Sequence, residues 1–206
     1  MEKELKYKIE TEEDYIKITN VLKNQYRYDG LVQENYYYDT KDMFLLKNGS
    51  ILRARIEGNK VIITFKTLKN NKDGYFISDE IESITDIDKF RNVLSDKVYI
   101  LDLCENSKNI IENITRDDKL FLIGKIRNEG QSFYYGDIVF ELDRVDFGMG
   151  IFDYEIEVES QNEKEARVIL QNLFNELNIK YQIQKKTKYQ RFLEANNIKV
   201  PFEMKE

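Results

Sequence analysis

Glu2-Lys3-Glu4-Leu5-Lys6 carries a charge at every other position. Side chains on a strand alternate faces, so on a strand Glu2, Glu4 and Lys6 would share one side and Leu5 would take the other. The same period recurs at Arg53 and Arg55, Glu80 and Glu82, Lys125 and Arg127, Glu141 and Asp143, Glu155 with Glu157 and Glu159, and Lys186 and Lys188. Between them stand Ala54, Ile81, Ile126, Leu142, Ile156 and Val158. One such pair is the ordinary solvated face of an antiparallel sheet, which mixes Thr, Ser, Gln and charges. Seven sets built from Glu, Asp, Arg and Lys describe a sheet with one face given over to charge. If the strands close, that face surrounds a lumen, where like charges repel unless a ligand or metal intervenes.

The rest of the chain narrows the choices. Its 206 residues, 41% hydrophobic, suffice for a full core and are expected to form one domain, residues 1–206, without a linker. Charged residues make up 34%, with a net charge of −6, so broad electrostatic binding to nucleic acid or an anionic membrane is not expected. Any anion must be met locally. There is no histidine, which removes Ser-His-Asp and Cys-His mechanisms and imidazole metal ligands. Cys104 is the only cysteine, so an intrachain disulfide and a thiolate zinc site are both excluded. A buried structural thiol is expected there. The first residues lack a basic stretch followed by an apolar one, and no apolar run approaches the ~18 residues of a membrane span. A soluble, cytoplasmic protein is the expectation.

Organisation follows from periodicity. Residues 1–10 read as a strand, and 12–24 as an amphipathic helix capped by Thr11 with Tyr15, Ile18 and Leu22 on one face. The tyrosine-rich run from Gln33 to Asp39 reads as a strand in which Tyr36, Tyr37 and Tyr38 serve packing. A hairpin from Ser50 to Lys66 reverses at Gly58-Asn59, Asn70 to Gly74 is a loop, and Tyr75 to Ser83 is a strand. A helical insert spans about 86–113, with Ile87, Phe90 and Leu94 on one stripe. Leu120 to Asn128 and Ser132 to Val145 read as strands reversing near Glu129-Gly130, and Phe152 to Ser160 as another. Glu163 to Leu177 is a helix. The tail offers a strand carrying Lys186 and Lys188, then a short helix ending before Pro201. Helices flank strands without regular βαβ alternation, so the class is α+β with a largely antiparallel sheet.

The two signs of charge suggest a ligand. Arg53, Arg55, Lys66, Lys125, Arg127, Lys186 and Lys188 are too many for one carboxylate but suit a polyanion that accepts paired guanidinium hydrogen bonds. Glu2, Glu4, Glu155, Glu157 and Glu159 would repel that anion if bare, and make sense as hard oxygen ligands for Mg²⁺ or Mn²⁺ bridging to phosphate.

These residues, in this order, resemble a known family. Glu2-Lys3-Glu4-Leu5-Lys6 is similar to the amino-terminal ExExK motif of CYTH domain proteins, the triphosphate tunnel metalloenzymes, and the likeness is to triphosphatases of the bacterial type. Asn35-Tyr36-Tyr37-Tyr38-Asp39-Thr40, Leu52-Arg53-Ala54-Arg55, Thr64-Phe65-Lys66, Lys125-Ile126-Arg127, Leu142-Asp143, Tyr154-Glu155-Ile156-Glu157-Val158-Glu159 and Lys186-Thr187-Lys188 continue it over roughly residues 1–195. The resemblance implies an eight-stranded antiparallel β-barrel, a tunnel with a charged interior and helices outside. It implies phosphate binding by Lys6, Arg53, Arg55, Lys66, Arg127 and Lys188, with Lys125 and Lys186 in support. Glu2, Glu4, Glu155 and Glu157 would hold metal, or Glu157 with Glu159 in the alternative register. Glu80, Glu82 and Asp143, with Lys66, are the candidates for catalysis; Glu159 is open between metal ligand and water positioner.

The expected activity is divalent-metal-dependent hydrolysis of a linear triphosphate, inorganic or esterified, with cations neutralising transition-state charge and an acid orienting water. The alternatives are class IV adenylate cyclase chemistry, a thiamine triphosphatase, and a non-catalytic polyphosphate-binding protein. The last gains nothing from inward glutamates. The partner is a small polyanionic substrate, with no nucleic acid and no membrane; the sequence leaves monomer and homodimer open.

Overall fold

The computed structural model describes residues 1–202. Its strands are Glu2–Ile9 (β1), Arg27–Asp39 (β2), Ser50–Glu57 (β3), Lys60–Lys72 (β4), Tyr75–Asp86 (β5), Phe121–Tyr135 (β6), Ile138–Asp146 (β7), Phe152–Glu159 (β8) and Tyr181–Ile183 (β9). The helices are Glu12–Gln25 (α1), Phe44–Lys47 (α2), Ile87–Leu94 (α3), Lys108–Thr115 (α4), Glu163–Leu177 (α5) and Lys188–Ala195 (α6), with a 3-10 turn at Ile100–Leu103. The strands pair antiparallel in the order β5-β4-β3-β2-β6-β7-β8-β1, and β1 returns to β5, closing an eight-stranded barrel. Short β9 takes over the same edge of β1 farther along, at Tyr7 to Ile9. Among the described residues no helix is long and apolar enough to cross a membrane.

The alternation read from the first six residues positions everything else. Leu5, Tyr7 and Ile9 of β1, with Phe140, Leu142, Ile156 and Val158, face outward and are covered by Ile18 and Leu22 of α1 and Leu170 and Phe174 of α5. Burying each such side chain contributes about 1.5–3 kcal/mol, enough to fix which face of each strand turns in. Thr11 caps α1 by accepting from the Asp14 amide, and Asn162 caps α5 by accepting from that of Glu165. A second cluster packs Tyr36, Tyr38, Leu52, Ala54, Ile63 and Phe65 under Phe90, Val93, Ile100 and Ile111 of the helical insert, with fully buried Cys104 among them.

Four local expectations give way. Strand β6 runs straight through Glu129-Gly130, and the reversal falls at Gly136-Asp137, where Gly136 has φ +58°. Gly130 is there for close approach, since a Cβ at that position would stand 2.6 Å from Asp143 Oδ1. The segment Asn70 to Lys72 is strand with an irregular register after Leu68, and Asp73-Gly74 alone makes the turn. In α3 the buried pair is Phe90 and Val93, while Leu94, the last residue of the helix, is 40% exposed. Lys188 is not on a strand: β9 ends at Ile183, and Thr187 starts α6 with a capping box to Gln190.

Candidate active site

Helix α6 closes one end of the barrel. Its Tyr189, Phe192 and Leu193 pack with inward-facing Tyr37, Ile126 and Val145, and Tyr189 stacks on Tyr37 at 4.7 Å between centroids. Gly124 makes room, since a Cβ there would fall 2.3 Å from the Phe192 ring. Above this floor lies a cavity of about 160 Å³ lined by inward residues of all eight barrel strands.

The wall formed by β1, β8, β7 and β5 is acidic and threaded by three ammonium groups. Lys6 Nζ lies 2.5 Å from Glu157 and 3.0 Å from Glu4. Lys66 joins Glu2, Glu4 at 3.2 Å and Glu80 at 2.9 Å, and Ser78 donates to Glu2 at 3.1 Å. Lys188, at the first turn of α6, reaches Asp143 at 2.8 Å, Glu155 at 2.7 Å and Glu157 at 2.8 Å. Burial opposes the charge on Lys188, but these carboxylates outweigh it and hold the ammonium well above its usual range. Burial likewise opposes ionisation of Glu157, yet Lys188 and Lys6 hold that carboxyl well below the usual carboxylate range.

The wall formed by β2, β3 and β4 is cationic and polar. Arg55 Nε donates to Asn35 at 3.0 Å, and its Nη1 lies 3.6 Å from Glu57. Arg53 Nη2 donates to the Thr64 hydroxyl at 3.4 Å, while its buried Nε has no hydrogen-bond partner among the described residues. Burial and the adjacent Arg55 charge pull the Arg53 guanidinium below its usual range. A half-buried guanidinium with an unsatisfied nitrogen beside a cavity has the chemistry to receive an anion.

Eight carboxylates line the cavity against five cations, counted from Glu2, Glu4, Glu80, Glu82, Glu141, Asp143, Glu157 and Glu159 on one side and Lys6, Arg53, Arg55, Lys66 and Lys188 on the other. The excess is felt locally. Burial, then Asp143 and Glu157, push Glu141 up to about 8, and burial with Glu2 and Glu4 raises Glu159. Oxygen atoms of Glu141, Asp143 and Glu157 all lie within 4.8 Å of one another. An all-carboxylate set that shares too much negative charge fits a hard divalent cation such as Mg²⁺ or Mn²⁺.

The structure thus brings together Glu2, Glu4, Lys6, Arg53, Arg55, Lys66, Glu80, Glu82, Asp143, Glu157, Glu159 and Lys188. It turns three expected phosphate ligands away. Lys125 and Arg127 have side chains 58% and 55% exposed and pair with Glu34 and Glu129 on the outer surface. The cause is register: Ile126 lies opposite inward Asn35, so the positions on either side of Ile126 face out. Lys186, outside the barrel, pairs with Glu194 of α6. Glu155 faces inward but is fully buried below the cavity and engaged by Arg191 and Lys188, so it is not offered to metal as expected. Sequence reasoning missed Glu141 as a site residue although its spacing to Asp143 was visible. Arg191, and Asn128 and Gln33, which also line the cavity, carry no local signal.

The sequence and fold compare with known proteins as follows. No curated protein matches the sequence. HpAC1 from Hippeastrum, assigned as an adenylyl cyclase and described as having a dominant triphosphatase activity, superposes with a TM-score of 0.84 at 22% identity, covering 95% of this chain and 96% of its own. A Bacillus halodurans protein assigned as an adenylate cyclase gives 0.70 at 24% identity, over 93% and 99% of the two chains. The PH1819 protein of Pyrococcus horikoshii gives 0.62 at 18% identity, over 93% and 99%. These likenesses establish a shared fold. The CYTH domain profile matches residues 1–193, so a closed barrel with an acid wall facing two arginines is here the fold of a member of the CYTH domain family.

Proposed function

We propose that the protein is a divalent-metal-dependent hydrolase of a linear triphosphate. The observation that carries this reading is the opposition, across one small cavity, of Arg53 and Arg55 to an acid wall whose own ammonium groups are already engaged. The arginines on β3 would grip terminal phosphate oxygens, and Lys6, Lys66 and Lys188 would complete the neutralisation as charge builds in the transition state. Glu2, Glu4, Glu157 and Glu159, with Glu141 and Asp143, are the residues that would hold Mg²⁺ or Mn²⁺. The bound cation supplies Lewis-acid polarisation of phosphate oxygens and cancels part of the charge that otherwise bars a polyanion.

The Glu82 carboxylate has no cation partner among the described residues and accepts there only from the Thr64 hydroxyl, at 3.2 Å. That leaves it free to orient a water at the mouth and take its proton as the new oxygen–phosphorus bond forms and the anhydride bond breaks. Glu80 and Asp143, held by Lys66 and Lys188, position those ammonium groups instead. The cavity is below the roughly 300–1,000 Å³ usual for drug-sized ligands, which favours a substrate whose phosphate chain enters while any organic group stays outside.

The test is incubation of the purified protein with tripolyphosphate, ATP and thiamine triphosphate under Mg²⁺ or Mn²⁺, with identification of products. Orthophosphate with pyrophosphate from tripolyphosphate supports the reading. Cyclic AMP and pyrophosphate from ATP would replace it with a cyclase, and binding without turnover with a polyphosphate binder.

A further inference from the structure

The four same-face acids of β8 are not equivalent. From the closed end upward, Asp153 accepts from Nη1 of Arg191 and has the half-exposed Lys8 ammonium 3.7 Å away, Glu155 accepts from Nη2 of Arg191, Glu157 is shared by Lys6 and Lys188, and Glu159 has no cation partner among the described residues. Arg191 comes from α6, three residues after Lys188, so both side chains project from one helical face. Its side chain is 8% exposed and its Nε has no hydrogen-bond partner among the described residues, so its hydrogen bonds go to these two carboxylates while its face lies 5.8 Å from the Phe147 ring centroid. The second Glu155 oxygen lies 2.7 Å from Lys188 Nζ.

We propose that Arg191 is a built-in counter-cation that closes the lower half of this acid row to metal and, through Glu155, holds Lys188 where a phosphate can reach it. The proposal rests on the triphosphate reading only for its second part. Two buried carboxylates two residues apart on one strand face need a cation, and a fork that donates separately to each is one solution; a divalent ion with hard oxygen ligands is another. Because the arginine is covalently part of the chain, metal is confined to the upper acids, Glu157, Glu159 and their neighbours on β1 and β7. Arg191 is therefore a positioning residue: it acts on Lys188 through Glu155 and touches no substrate.

The test counts Mn²⁺ ions bound, by titration followed with electron paramagnetic resonance, in the wild type, Arg191→Met, Arg191→Met with Glu155→Gln, and Glu155→Gln alone. Arg191→Met should bind one more Mn²⁺ than the wild type, and the added Glu155→Gln should abolish the extra ion. Glu155→Gln alone should leave the wild-type count unchanged. An unchanged count in Arg191→Met, or the loss of an ion in Glu155→Gln, overturns the proposal. The second of these decides the matter even if Arg191→Met fails to fold. In steady state, Arg191→Met should raise the KM for tripolyphosphate about tenfold with the Mn²⁺ concentration for half-activation unchanged. A wild type inactive on tripolyphosphate would refute the hydrolase reading and leave the ion count to decide the role of Arg191.

Discussion

Replacing Lys188 with methionine removes one ammonium that three buried carboxylates share, Asp143 at 2.8 Å, Glu155 at 2.7 Å and Glu157 at 2.8 Å. Methionine keeps most of the packing volume, so the change isolates the charge. Breaking a buried ion pair by deleting one partner costs about 3–5 kcal/mol, because the remaining charge is stranded. For a chain of this size each kcal/mol lowers Tm by roughly 2–4 °C, so the expected drop near neutral pH is about 6–20 °C. The sign of its pH dependence follows from linkage. In the wild type Glu157 is held below the usual carboxylate range, so it stabilises the fold above its unfolded pKa and stops doing so as pH falls through the folded one. In Lys188→Met the stranded carboxylates rise in pKa and bind protons in the folded state, so the variant gains relative to the wild type as pH falls. Melts at pH 8, 7 and 5.5, followed by calorimetry, should show the gap narrowing on acidification. Added Mg²⁺ should narrow it further by supplying another cation to the same oxygens. A variant that melts within 2–3 °C of the wild type at every pH would refute the assignment of Lys188 as the shared counter-ion.

Other expectations follow from the same geometry. Arg55→Ala and Glu4→Ala should each lower turnover at least 10²–10³-fold with far-UV circular dichroism unchanged, the loss usual for a preorganised charge aimed at the reacting group. The triple change Lys125→Ala, Arg127→Ala, Lys186→Ala should leave turnover within about twofold, since all three sit in exposed surface pairs worth roughly 0–1 kcal/mol. Gly130→Ala should displace the Asp143 carboxylate, whose Oδ1 would stand 2.6 Å from the new methyl group, and lower activity while the melt changes little. Burial, then Asp143 and Glu157, push Glu141 up to about 8, so Mn²⁺ binding near pH 7 should release protons. Titration calorimetry in buffers of differing ionisation enthalpy measures that release, and Glu141→Gln should reduce it.

How much the sequence disclosed depended on which residue pairs share a parity with the core. Glu2, Glu4 and Lys6 were legible because Leu5, between them, belongs unambiguously to the outer cluster under α1 and α5. Arg53 and Arg55 were legible for the same reason, through Ala54. The Lys125-Ile126-Arg127 pattern is identical in kind, yet Ile126 faces inward and packs with Tyr189, Phe192 and Leu193 of α6, while its charged neighbours look out to water. Alternation alone names two faces and cannot say which one is the lumen. Lys186 and Lys188 were misread as a strand pair although Thr187 and Gln190 spell a helix start, which places Lys188 at the head of α6 and Lys186 outside. The role of Arg191 depends on α6 folding back onto β8, a long-range contact that no local pattern announces.

The most direct measurement is anomalous diffraction from crystals grown with Mn²⁺ and tripolyphosphate. Manganese is expected on the upper acids, among Glu4, Glu141, Asp143, Glu157 and Glu159, with the phosphate chain between that ion and the guanidinium groups of Arg53 and Arg55. Manganese and phosphate on the outer surface of the barrel, or metal coordinated by Asp153 and Glu155 in place of Arg191, would contradict it.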